Sequence, residues 1–121
     1  MSIPPEALQK LAQEIETRAV VSQQQIGIVR TQIAAKQRDV RLQELTANEA
    51  TTLPKDTKVY EGVGKMFVLT PLENVKDRLA AEKEELKSDI NNLEKKLQYL
   101  ETTHKNSRDH IEHMLKATGR S

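Results

Sequence analysis

A chain of 121 residues with 31% charged side chains and only 2% aromatic ones has room for one domain but few large groups to fill a globular core. Its net charge is +1, with acids and bases nearly balanced in both halves, so the basic face of a nucleic-acid binder is missing. Cysteine is absent, which excludes disulfides and thiolate-held metals and fits a reducing compartment.

The first residues, MSIPPEALQKLAQEIE, carry early acids and no apolar centre, so they do not read as a secretory signal. No apolar run approaches the roughly 18 residues needed to span a bilayer. The expectation is a cytoplasmic protein that engages neither membrane nor nucleic acid. From Leu8 a stripe recurs at alternating spacings of four and three: Leu8, Ala12, Ile15, Ala19, Ser22, Ile26, Val29, Ile33, Lys36, Val40. It is apolar except at Ser22 and Lys36, and such spacing is the seam by which one helix lies along another. Pro4 and Pro5 mark its start, because Pro is tolerated only in a first turn. Gly27 falls off the seam and costs about 1 kcal/mol relative to Ala in a helix. The first helix is therefore expected over residues 5–43. Thr46 and Glu49 then stand at capping-box spacing, which predicts a separate short helix over 46–53, closed by Pro54.

Residues 58–69 are different. Two β-prone runs surround Gly62 and Gly64, either of which can take the positive φ of a tight hairpin turn. Met66, Phe67, Val68 and Leu69 do not alternate, so the second strand is apolar on both faces, as in a strand covered on both sides. A lone two-stranded hairpin is marginal in water and leaves open edges. Two readings follow. Other subunits complete the sheet, or the hairpin folds back as a small cap on its own helices. The scarcity of apolar partners within the chain favours the first.

Thr70-Pro71-Leu72-Glu73 reads as the start of a second long helix, with Thr70 as N-cap, Pro71 at N1 and Glu73 at N3. Its seam is Leu79, Lys83, Leu86, Ile90, Leu93, Leu97, Leu100, His104, Ser107, Ile111 and Met114, unbroken from Leu86 to Leu100. Glu101 and Lys105 are spaced as a favourable i,i+4 pair. The helix is expected over 71–118, with Gly119 as C-terminal cap. Two helices of about 60–70 Å each, joined by a reversing connector, form an antiparallel coiled-coil hairpin. The fold class is thus mainly α, a long antiparallel two-helix coiled coil with a central β-hairpin. Both chain ends then meet at one end of the coil. There Leu8, Leu11, Ile15, Ile111, Met114 and Leu115 exceed what one seam hides, and Leu11 and Leu115 lie off it.

Two long helices around K-V-Y-E-G-V-G-K-M-F-V, followed by T-P-L-E, closely resemble prefoldin, and the single hairpin resembles that of its β-type subunits. The resemblance covers almost the whole chain. It is specific over residues 59–67 and generic along the helices. It implies an ATP-independent co-chaperone, a heterohexamer of α- and β-type subunits whose hairpins form an intersubunit β-barrel. Coiled-coil tips would hold non-native chains such as actin and tubulin and pass them to the cytosolic chaperonin. Carried onto this sequence, Val59, Tyr60, Gly62, Val63, Gly64, Met66, Phe67, Val68 and Leu69 would form the oligomerisation hairpin, and Leu8, Leu11, Ile15, Ile111, Met114 and Leu115 the client-binding tip.

Other chemistry finds little support. His110 and His113 share a helix face, with Asp109 and Glu112 adjacent, yet further convergent ligands for a closed metal site are lacking. No triad, paired-carboxylate cleft or phosphate loop is suggested, so the chain is read as neither an enzyme nor a cofactor binder. The rival function is a structural coiled-coil adaptor in a scaffold or tethering complex. The hairpin discriminates, since an adaptor needs only the seam. The polar seam residues Ser22, Lys36 and Lys83 either set register or are tolerated flaws with their stems reaching to water.

Overall fold

The computed structural model describes residues 4–117, so Gly119 and the last expected helical residue, 118, lie outside it. Helix α1 (Pro5–Thr51) leads to strands β1 (Val59–Val63) and β2 (Met66–Thr70), and helix α2 (Leu72–Ala117) follows. Contacts divide the chain into two compact units. One, the terminal unit, contains residues 4–32 and 93–117, and the other, the hairpin unit, contains residues 33–92.

Both ends of α1 follow from its sequence. The Leu8 amide donates to the Pro4 carbonyl at 3.0 Å, which makes Pro4 the cap and places Pro5 at the first helical position. At the other end Thr52 and Leu53 donate to carbonyls three residues back, tightening the last turn ahead of Pro54. The helix does not stop at Gln43 and restart at Thr46. Nothing between these positions breaks it, and the Thr46 hydroxyl donates back to the Leu42 carbonyl at 2.8 Å rather than capping a new turn. The seam accordingly runs on through Gln43, Ala47 and Ala50.

Every expected seam position of α1 from Leu8 to Val40, and of α2 from Leu79 to Met114, is buried or half-buried. In the terminal unit the core is Ala19, Ile26, Val29 and Leu100, with Val29 only 2% exposed. The helices there run antiparallel: His104 Nδ1 donates to the Ala19 carbonyl at 3.1 Å, and Arg30 meets Glu101 at 2.7 Å. Glu101 thus pairs across the coil, where the sequence suggested Lys105.

The hairpin unit buries Ile33, Ala50, Val75 and Leu79. Its polar seam residues meet groups on the opposite helix. Lys36 faces Asp89 at 3.4 Å, Gln43 Nε2 donates to Glu82 at 2.8 Å, and Lys83 faces Glu44 at 3.2 Å. A lysine that leaves the seam to meet an acid keeps its charge in water and its stem on apolar neighbours, so the defect costs little.

The start of α2 differs from its sequence reading. The Pro71 carbonyl accepts from the Val75 amide at 3.2 Å, so Pro71 occupies the capping position. Thr70 ends β2 instead, and its hydroxyl donates to the Val68 carbonyl at 3.2 Å.

Candidate assembly and binding surfaces

The two strands pair antiparallel, with Val59 opposite Thr70, Tyr60 opposite Leu69, Glu61 opposite Val68, Gly62 opposite Phe67 and Val63 opposite Met66. Gly64 and Lys65 form the turn. Gly64 has φ of 63°, and no non-glycine residue among those described has positive φ, the pattern of a type II′ turn with glycine first. Gly62 needs no such freedom. It lies within β1, where an added Cβ would meet the Phe67 ring at 3.8 Å, an ordinary contact.

Alternate residues of a strand point to opposite faces, and the register carries that alternation across both strands. One face therefore holds Tyr60, Gly62, Phe67 and Leu69. Its three large side chains are all exposed, Phe67 by 76%. The other face holds Val59, Glu61, Val63, Met66, Val68 and Thr70. Here Val59, Glu61 and Thr70 are half-buried, while Val63, Met66 and Val68 are exposed. The hairpin thus presents a contiguous apolar surface of a kind that marks interaction sites on soluble chains.

Glu61 is the residue that sequence reasoning passed over. It interrupts an otherwise apolar hairpin, and its carboxylate meets Arg78 of α2 at 3.0 Å. Arg78 also approaches Glu82 at 4.0 Å, and Glu82 accepts from Gln43. A polar chain thereby links β1 to α2 and α2 to α1. The available signal was a charged residue in the middle of an apolar strand; its partner, on a different element, was not readable.

In the terminal unit, Leu8, Ile15, Ile111 and Met114 are half-buried along the seam, and Leu11 and Leu115 are exposed, as their off-seam positions require. Ile111 and Leu115 line an open groove with Ala19, Val20, His104 and Arg108. Leu8, Leu11, Ile15 and Met114 are not part of that groove. Val20 was not anticipated, though an apolar residue directly after seam residue Ala19 was visible in the sequence. The groove mixes apolar and charged walls.

Among the described residues no helix is long and apolar enough to cross a membrane, and no three His, Cys, Asp or Glu side chains converge on a metal-sized site.

A family model described as prefoldin subunit matches residues 7–118. A probable prefoldin subunit 1 of Schizosaccharomyces pombe is 41% identical over 105 residues, covering 87% of this chain and 94% of the relative. Prefoldin subunit 1 of Homo sapiens is 34% identical over 110 residues, covering 91% and 90%. Among solved structures, the prefoldin beta subunit from Thermococcus strain KS-1 superposes with a TM-score of 0.81 at 26% identity, covering 94% of this chain and 96% of that one. The hairpin between paired long helices, a family match over nearly all the chain and relatives of matching length agree: the chain belongs to the prefoldin family.

Proposed function

We propose that the chain serves as a β-type subunit of a prefoldin heterohexamer, a cytoplasmic co-chaperone that holds non-native proteins without nucleotide. The observation that carries this reading is the exposed apolar hairpin face of Tyr60, Phe67 and Leu69. A contiguous exposed apolar face of this kind marks a site that another chain covers, and open strand edges provide the hydrogen-bonding template for that cover. Hairpins of neighbouring α- and β-type subunits would supply it by closing a shared β-barrel. An adaptor built on the helical seam alone has no use for this face.

Client capture belongs to the terminal unit. Leu11, Val20 and Leu115 offer exposed apolar surface beside charged groups. Each contact is weak, at roughly 25 cal/mol per Å² buried, and several subunits acting together raise avidity without fixed specificity. Actin- and tubulin-like chains are the proposed clients, with the cytosolic chaperonin as recipient.

The test is suppression of aggregation of denatured actin by reconstituted hexamer. A subunit carrying Leu11→Ser, Val20→Ser and Leu115→Ser should assemble normally and capture the client at least about threefold less well, given the area removed. Capture equal to wild type by the assembled variant would remove this subunit's terminal unit from client binding.

A further inference from the structure

We propose that the Glu61–Arg78 pair is an orientational latch that selects which face of the hairpin is offered to neighbouring subunits. The inference rests on the reading of the hairpin as an assembly element, and it concerns residues outside that apolar set.

The two faces of the hairpin are covered unequally at its base. Residues 59, 61 and 63 share one face of β1, and residue 60 lies on the other. Val59 and Glu61 are half-buried, whereas Tyr60 is exposed, as are Phe67 and Leu69 on its face. At its base the hairpin is therefore held with the Glu61 face against α2 and the Tyr60 face toward solvent. Apolar contact alone does not choose between these sides. Val63, Met66 and Val68 on the Glu61 face are also apolar and also exposed, so either face offers large side chains to a helix.

A directional contact makes the choice. Glu61 Oε1 lies 3.0 Å from the Arg78 guanidinium, and the Glu61 side chain is only 23% exposed. Turning the hairpin over would take the carboxylate from its cation and present it, beside Val63, Met66 and Val68 of its own face, on the assembly side, where an unpaired charge is costly to cover. The latch is anchored in turn. Arg78 lies 4.0 Å from Glu82, one helical turn on, and Glu82 accepts at 2.8 Å from Gln43 of α1. The cation that sets the hairpin is thus braced against both helices. Glu61 then acts twice: it holds the correct face outward, and it penalises exposure of the wrong one. Arg78 is a positioning residue, since it acts on assembly through the hairpin.

The absence of cysteine makes the test direct. Spin labels at Lys65→Cys in the turn and Lys87→Cys on α2 report hairpin orientation in the isolated full chain by electron–electron double resonance. The parent should give a narrow distance distribution. Glu61→Arg and Arg78→Glu should each broaden it at least about twofold and lower the stability of the reconstituted hexamer to dilution roughly fivefold, the scale of a partly exposed pair. The double variant Glu61→Arg/Arg78→Glu should narrow the distribution again and recover most of the hexamer stability. Unchanged distances in both single variants would overturn the latch. So would a double variant no better than the singles, or broadening that leaves hexamer stability unaltered. Phe67→Asp/Val68→Asp separates the two ideas: its normal incorporation into the hexamer would sink the assembly reading itself, while the label distances still decide whether the latch exists.

Discussion

Val29 is the most deeply buried side chain of the terminal unit, at a seam position the 3.5-residue spacing singles out. Val29→Ala removes two methyl groups from a packed site and should cost about 1.5–3 kcal/mol in thermal or denaturant unfolding followed by circular dichroism. Gly27, two residues away, presents the opposite case. An added Cβ there meets nothing within 4 Å, so Gly27→Ala should stabilise the chain by up to about 1 kcal/mol, the helix-propensity difference. A loss of stability would mean that the glycine is there for a packing partner. The polar seam residues fall between these extremes. Lys36 and Asp89 are each more than a third exposed, so screening holds their pair to the low end, at less than about 1 kcal/mol.

At the scale of elements, the long helices were legible because a seam repeated over ten or more positions outweighs any single propensity. The same repetition explains the misreading at Thr46. Thr and Glu at capping-box spacing start a helix only where the backbone is already broken, and the stretch from Gln43 to Thr46 contains neither Gly nor Pro. The helix does end ahead of Pro54, at Thr51 rather than at the expected residue 53. The hairpin was legible through its glycines and its unalternating apolar run. Which glycine turns the chain was not, because register decides that, and register depends on strand pairing. The Glu61–Arg78 contact was hidden for a related reason: it joins a strand to a helix, and no local period connects them. Replacing Phe67 and Val68 with Asp tests the element as a whole. These charges would be desolvated in an assembled barrel at a cost of several kcal/mol. The variant should be lost from the hexamer, yet its circular dichroism should remain strongly helical, since both seams are untouched.

For the whole molecule, the proposed mode of action needs no fuel. In that proposal, weak apolar contacts distributed over several subunits would bind and release by mass action, and the sequence carries no phosphate-binding loop. Suppression of client aggregation by the reconstituted hexamer should therefore be equal with ATP, with ADP and with neither, and nucleotide dependence would require a different mechanism. In the proposed function it is the hairpin that makes this chain a subunit. Native mass spectrometry of the chain mixed with the other five prefoldin subunits tests it most directly. A single hexameric species containing one copy of this chain should form, and the Phe67→Asp/Val68→Asp variant should be excluded from it. Persistence of the chain as a separate homodimer, or incorporation of the variant at wild-type levels, would contradict it.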